Sequence, residues 1–187
     1  MAKLSVFNLI TLDGYFKGPN EDISWHNFGE DEQGLSDEKS NSGNTLVFGR
    51  KTYEMMQSYW TSKDAWKDDP LTTQGMNSSK KIVFSKTLRE ATWENTTLLN
   101  GDLLAEIKRL KAEDGTDMTI LGSGQIVAQL AEANLIDDYS ILLNPLALGE
   151  GTTMFQRLTR PLRLKLVSAK TMRSGNVLLN YKKIEPL

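Results

Sequence analysis

Gly122-Ser123-Gly124-Gln125 follows a strand-like run, Met118-Thr119-Ile120-Leu121, and precedes helical spacing at Ile126, Val127, Leu130 and Ala131. A glycine-rich turn between a strand and a helix presents backbone N–H groups and the positive end of the helix dipole. That combination holds a phosphate. Taken alone the turn is equally a ligand-free connection, because Val127 stands where a dinucleotide fingerprint has its third glycine. Gly49-Arg50-Lys51-Thr52 repeats the order of strand, glycine and helix, here with two cations and a hydroxyl at the helix start. The macrodipole disfavours cations there, so the pair predicts an anionic partner that offsets the cost. Ser85-Lys86 places a hydroxyl and a cation after a third strand, Ile82-Val83-Phe84. It fits a second phosphate, such as the 2′-phosphate that separates NADP from NAD. Three such sites at the carboxyl ends of three strands lie where open α/β sheets bind ligands.

The elements that must position these residues follow from periodicity. Leu4 to Leu12 carries apolar residues on both alternating faces, as a central strand covered on both sides does. It ends at Asp13-Gly14-Tyr15, a turn signal. Residues 17–44 are polar and read as a long loop with a short helix near Leu35. Thr45 to Phe48 is a buried strand. Tyr53, Met56 and Trp60 mark the core face of a helix from Arg50 to Trp60. Residues 61–79 read as a second polar connection. Strands are expected at 82–84, near 97–99 and at 118–121, with helices over Leu103, Ile107 and Leu110 and over Ile126 to Ala131, the latter stopped at Asn134. The last third is strand-rich: Asp138 to Leu143, the alternating Leu162, Leu164 and Leu166, and Val177 to Tyr181 after a Ser174-Gly175-Asn176 turn. The order predicts one α/β domain over 1–187, a three-layer α/β/α arrangement with a mostly parallel sheet and antiparallel C-terminal strands.

Composition narrows the chemistry. The 187 residues are 39% hydrophobic and 25% charged, with a net charge of −2, so no pull toward nucleic acid or an acidic membrane is expected. With no cysteine, thiolate zinc sites, disulfides and cysteine nucleophiles are excluded. With His26 the sole histidine, no metal site is expected. Neither a signal-peptide core nor a membrane-spanning run is seen, and a cytoplasmic location is expected.

Five segments in order carry a resemblance: Thr11-Leu12-Asp13-Gly14-Tyr15, Leu46 to Tyr53, Ile82 to Lys86, Ile120 to Gly124, and Leu143 to Gly151. Together they resemble the dihydrofolate-reductase-like superfamily, and within it the reductase domain of riboflavin biosynthesis, the RibD C-terminal domain family. The resemblance spans nearly the whole chain. It implies NADPH as cofactor, held by Gly49, Arg50, Lys51, Thr52, Ser85, Lys86, Gly122, Ser123, Gly124 and Gln125. It implies a substrate and nicotinamide side lined by Asp13-Gly14 and the segment Pro145 to Gly151, including Gly149 and Glu150, with Tyr15 and Trp25 added as candidates. Asp13 is the first candidate for polarising or protonating the substrate, beside its reading as a turn-forming residue before glycine.

The implied function is hydride transfer to a small heterocyclic or carbonyl substrate, with dihydrofolate reduction or nucleotide binding without turnover as alternatives. A homodimer is expected. The zinc deaminase half of bifunctional riboflavin enzymes is excluded by the absence of cysteine. Riboflavin reductases place a cation after the Asp-Gly turn for a substrate phosphate, where this chain has Tyr15. Lys17 and Arg157 are the other cations that could serve. Dihydrofolate reductases carry an acid on the helix after the first loop, for which Glu30, Asp31, Asp37 and Glu38 are all available. His26 beside Trp25 reads as a solvated loop histidine.

Overall fold

Alternation in the first strand decides the architecture. Leu4 and Val6 face one side and Phe7 and Leu9 the other, so both sides of the strand need cover. The computed structural model describes residues 1–113, 115–156 and 158–184. Arg157, one of the candidate cations, lies outside them. In chain order the elements are β1 (Leu4–Thr11), β2 (Tyr15–Lys17), α1 (Glu30–Ser40), β3 (Thr45–Gly49), α2 (Arg50–Trp60), α3 (Lys63–Asp68), α4 (Pro70–Ser78), β4 (Lys81–Phe84), β5 (Thr96–Leu99), α5 (Leu103–Ala112), β6 (Met118–Leu121), α6 (Gly124–Glu132), β7 (Asp138–Asn144), β8 (Thr152–Thr153), β9 (Leu164–Thr171) and β10 (Val177–Lys183). Eight strands form one sheet in the order β5-β4-β3-β6-β1-β7-β10-β9, and β2 pairs with β8 in a separate small ribbon. All pairings from β5 to β7 are parallel, and β10 runs antiparallel to both β7 and β9. The three-layer, mostly parallel sheet with an antiparallel C-terminal end is the one the element order predicts.

Helices α5 and α6 cover one side, burying Ile107, Val127 and Leu130 against Leu4, Val6, Val47 and Ile120. On the other side Tyr53 of α2 and Met76 of α4 pack with Leu46, Phe48, Val83 and Trp93, and Leu35 of α1 packs near Phe7 and Leu9. Tyr53 is 1% exposed, while Met56 and Trp60 lie partly buried at the same cluster, as their helical spacing predicts. No helix among the described residues is long and apolar enough to cross a membrane.

Two polar stretches fold more than expected. Residues 17–44 contain the eleven-residue α1, whose sequence has almost no apolar face and a glycine at position 34. What holds it is tertiary. Glu32 closes a capping box on the Gly29 N–H at 2.8 Å, and Asp31 and Glu30 pair with Arg173 at 3.0 and 2.9 Å. Residues 61–79 form α3 and α4, begun by Ser62 and Asp69, whose side chains accept from Ala65 N and Thr72 N, with Pro70 in the first turn of α4. These start signals were present in the sequence, but the helices are too short for an apolar period to appear.

Lys81 opens β4 at 1% exposure. Its Nζ donates to the carbonyls of Met76, Asn77 and Ser79 at 2.8, 3.0 and 2.7 Å, and lies 4.6 Å from the Trp93 ring centroid. One ammonium thus satisfies the last carbonyls of α4 and pins that helix to the strand that follows it. Lys81→Met keeps the stem but leaves three carbonyls without this donor. It is expected to lower unfolding free energy by about 2–4 kcal/mol, read from urea denaturation, and an unchanged midpoint would refute the assignment.

Candidate functional site

β3 and β6 are neighbours, yet the chain leaves them in opposite directions. After β3 it passes through α2 toward β4 at one edge, and after β6 through α6 to β7 beyond β1. Such a switch point opens a crevice at the carboxyl ends of the two strands. Side chains hold its two lips together: the Gly49 N–H donates to Ser123 Oγ at 2.7 Å, and the Ser123 N–H donates to Thr52 Oγ1 at 3.2 Å. The turn that allows this needs its glycines. Gly122 has φ +63°, and a Cβ there would meet Thr52 Cγ2 at 2.8 Å; a Cβ on Gly124 would meet the Phe16 ring at 2.7 Å.

The crevice is a cleft of about 970 Å³. Gly49, Arg50, Lys51, Thr52, Ser85, Lys86, Ser123, Gly124 and Gln125 line it, so the structure brings together all the residues named for a nucleotide except Gly122, which shapes the turn beneath them. α2 and α6 both start at the cleft, and neither N-cap residue, Gly49 or Ser123, accepts a side-chain hydrogen bond from its own helix. By contrast α3, α4 and α5 are capped by Ser62, Asp69 and Asp102. The helix starts at the crossover therefore keep N–H groups and positive dipole ends for an anion.

Arg50 and Lys51 have partners within the chain. Arg50 Nε pairs with Glu54 at 2.8 Å, one turn along α2, and its Nη1 donates to Thr87 Oγ1 at 2.7 Å. Lys51 pairs with Glu21 at 3.2 Å, and the same carboxylate pairs with Lys17. Ser85 Oγ accepts from the N–H groups of Thr87 and Leu88 at 3.2 and 2.9 Å, which fixes the turn carrying Lys86.

None of the residues named for the substrate side lines this cleft; Asp13, Tyr15 and Gly149 meet at the end of β1, and Gly151 lies against the cleft residue Lys17. Asp13 accepts from Thr11 Oγ1 at 2.5 Å and from the N–H groups of Gly149 and Leu148 at 2.8 and 3.2 Å. The Thr11 hydroxyl, and next the Gly149 N–H, hold its carboxyl below the usual range. Asp13 is thus a carboxylate that clamps the 145–151 segment to the end of β1, and it holds no proton to give at neutral pH.

Tyr15 Oη donates to the Gly149 carbonyl at 3.3 Å, and Tyr15 pairs with Thr153 across the β2–β8 ribbon. Gly151, at φ +141°, lies so close to the Lys17 carbonyl that a Cβ would come within 2.1 Å of it. Gly14, at φ +88°, closes the turn after β1, and its N–H donates to the Thr11 carbonyl at 2.9 Å. Pro145 packs near Gly175, and Glu150 is exposed. Trp25 donates to the Asp22 carbonyl at 3.2 Å and stands apart from the Asp13 clamp among the described contacts.

Sequence reasoning missed the acid that α1 turns inward. Glu30 and Asp31 face Arg173 and Asp37 accepts from Thr72, whereas Glu32 is 1% exposed. Burial pushes the Glu32 carboxyl up, but hydrogen bonds from Ser174, Gly29 and Asn176 outweigh it and hold the group below its usual value. Asn176 also donates to the Asn27 carbonyl at 2.7 Å, and the Asn27 N–H donates to Asn144 Oδ1 at 3.2 Å. This knot docks the 22–29 loop on the ends of β7 and β10. Its one sequence signal was the Gly29-to-Glu32 capping spacing. Phe16, Lys17, Glu21, Thr152 and Thr153 also line the cleft without having been named for the nucleotide. Four of them belong to the β2–β8 ribbon, whose strands are far apart in the chain, and Glu21 lies in the turn after β2.

The chain matches the family model described as RibD C-terminal domain over residues 2–178. It is 29% identical over 179 residues to the uncharacterised protein YyaP of Bacillus subtilis strain 168, covering 92% of this chain and 90% of that one. Its fold is similar to that of a Shewanella sp. PV-4 protein named for riboflavin biosynthesis, with TM-score 0.76 and 23% identity over 99% of this chain and 100% of the other. It is also similar to a Thermotoga maritima diaminohydroxyphosphoribosylaminopyrimidine deaminase/5-amino-6-(5-phosphoribosylamino)uracil reductase, with TM-score 0.69 and 13% identity, covering 98% of this chain and 57% of that one. These likenesses establish the fold expected from the five segments.

His26 is not the solvated histidine its loop position suggests. Its ring packs edge-on against Trp25 at 4.4 Å, its Nε2 is buried without a partner among the described residues, and burial pushes its pKa down to about 4. Between pH 6.5 and about 4 the unfolded chain binds a proton that the folded chain excludes. The associated stability is present above 6.5 and is lost as pH falls to about 4. His26→Phe is expected to remove about 1–3 kcal/mol of that loss, measured as unfolding free energy at several pH values. Parallel pH profiles for both proteins would refute the role.

Proposed function

The chain belongs to the RibD C-terminal domain family, and from that premise we propose that it is an NADPH-dependent reductase of a small, planar heterocyclic substrate. The observation that carries this reading is the pair of helix starts without side-chain caps that meet at the sheet crossover, surrounded by Arg50, Lys51 and Lys86. The residues fit a dinucleotide phosphate: the two helix starts without side-chain caps open on about 970 Å³ of cleft lined by Arg50, Lys51 and Lys86. Gly49 to Thr52 and Gly122 to Gln125 would hold the diphosphate. Arg50, Ser85, Lys86 and Thr87 would hold a phosphomonoester farther along, the group that separates NADPH from NADH. When bound, the nucleotide supplies a hydride.

The protein's own part is alignment and exclusion of water. Phe16 lies against the Gly124 turn at 6% exposure and gives the cleft an apolar wall. Asp13 acts as a positioning residue: as an acceptor on Leu148 and Gly149 it fixes the segment against which a substrate would lie. Tyr15 stands where a phosphorylated substrate would want a cation. The proposed substrate therefore lacks a sugar phosphate, since an unpaired buried phosphate would cost more than ring stacking returns.

NADPH at about 100-fold excess over its dissociation constant is expected to raise the melting temperature by about 5–10 °C, and NADH at the same concentration by clearly less. Equal shifts, or none, would refute the cofactor assignment.

Arg50→Ala is expected to weaken NADPH binding by about 1.5–3 kcal/mol. Loss of the exposed Arg50–Glu54 pair should change stability by under ~1 kcal/mol. Unchanged affinity, or an unfolded variant, would make Arg50 a structural residue.

A further inference from the structure

Glu21 is the one cleft residue whose carboxylate joins two cations from different elements. One oxygen meets Lys17 Nζ at the end of β2, and the other lies 3.2 Å from Lys51 Nζ in the first turn of α2. Lys17, Glu21 and Lys51 all line the same cleft. Lys17 has a side chain only 10% exposed, so its charge needs an anion nearby; Lys51, at 78%, does not. A single anion that spans two ammonium groups through two oxygens is also how a diphosphate would sit there.

The turn that carries Glu21 is built to let go. Asn20 and Glu21 have φ of 55° and 65°, left-handed backbone that asparagine accepts and glutamate rarely adopts. The Pro19–Glu21 turn buries none of its residues. Its backbone hydrogen bonds among the described residues are local: the Gly18 N–H donates to the Asp22 carbonyl at 2.8 Å and the Asp22 N–H to the Pro19 carbonyl at 3.2 Å. Moving Glu21 therefore breaks no core packing. α2 has no acidic residue of its own in its first turn, so the counter-charge there comes from this loop.

We propose that Glu21 competes with a ligand's diphosphate for Lys17 and Lys51, and so sets both the affinity and the anion selectivity of the cleft. A monoanion gains little by replacing an attached carboxylate, while a group with two adjacent charges gains enough to displace it. The inference rests on the nucleotide reading of the cleft and names the residue that tunes it.

The test is titration of wild type, Glu21→Gln and Glu21→Asn with NADPH and separately with inorganic diphosphate at fixed ionic strength. Both variants remove the charge, and asparagine also suits the left-handed backbone. Each is expected to bind both probes about two- to fivefold more tightly than wild type, the range for a partly exposed charge pair. The gain should shrink in a Lys51→Met background, where only the Lys17 pair is left to release. If loss of the partner to Lys17 prevents folding, Glu21→Gln combined with Lys17→Met carries the comparison through Lys51. Equal affinities overturn the proposal. Weaker binding overturns it too, and makes Glu21 a direct contact to the ligand. Tighter diphosphate binding with no NADPH binding to any form upholds the competition and sinks the cofactor reading. Binding of neither probe by any form overturns both.

Discussion

The Ser123 hydroxyl accepts the Gly49 N–H at 2.7 Å, and Gly122 lies so close to Thr52 that no Cβ fits between them. That approach of two strand ends is the constraint on which the candidate site depends. β3 and β6 must be neighbours for it to form, and they are neighbours because β6, sixth in sequence, inserts between β3 and β1. The insertion sends α2 and α6 to opposite sides of the sheet, with their N-terminal ends left facing one crevice. A Cβ at Gly122 would push the two helix starts apart, and one at Gly124 would run into the Phe16 ring. Ser123 is held between them in left-handed backbone at φ 57°, a conformation sustained by the hydrogen bonds on both sides.

Charge around the crevice is balanced within the chain. Cations at a helix start oppose the macrodipole, and here Glu54 and Glu21 offset them. The two pairs differ in origin. Arg50–Glu54 is local to α2, one turn apart and exposed on both sides. Glu21 comes from a loop thirty residues earlier and bridges to a lysine that is largely buried. The first adjusts without disturbing the fold, and the second ties the β2 side of the cleft to the start of α2. The same logic recurs at the substrate side. Asp13 and Glu32 are carboxylates wrapped in donors, each joining segments more than a hundred residues apart: Asp13 to Gly149 and Glu32 to Ser174. The exposed Asp13 and the buried Glu32 both serve as clamps, and their depressed pKa values follow from that use.

Sequence alone determined the sheet, most of its strands and the turns that line the cleft. Strand alternation, helix spacing and glycine turns are local signals, and Gly49 to Thr52, Ser85-Lys86 and Gly122 to Gln125 each carry one within a few residues. Because parallel strands put their carboxyl ends on one side, recognising those strands was enough to bring these three turns to one cleft. The α1, α3 and α4 helices escaped, because their stability comes from caps and long-range pairs such as Asp31–Arg173 rather than from an apolar stripe. What only the tertiary structure decided is which polar groups meet. No spacing tells that Glu32 turns inward while Glu30 and Asp31 face Arg173, that His26 is packed on Trp25, that Lys81 caps a helix, or that Glu21 lies between Lys17 and Lys51. An ion pair or hydrogen bond depends on distances of about 3 Å between atoms, and those distances are set by the packing of the apolar core, which brings together residues far apart in the chain.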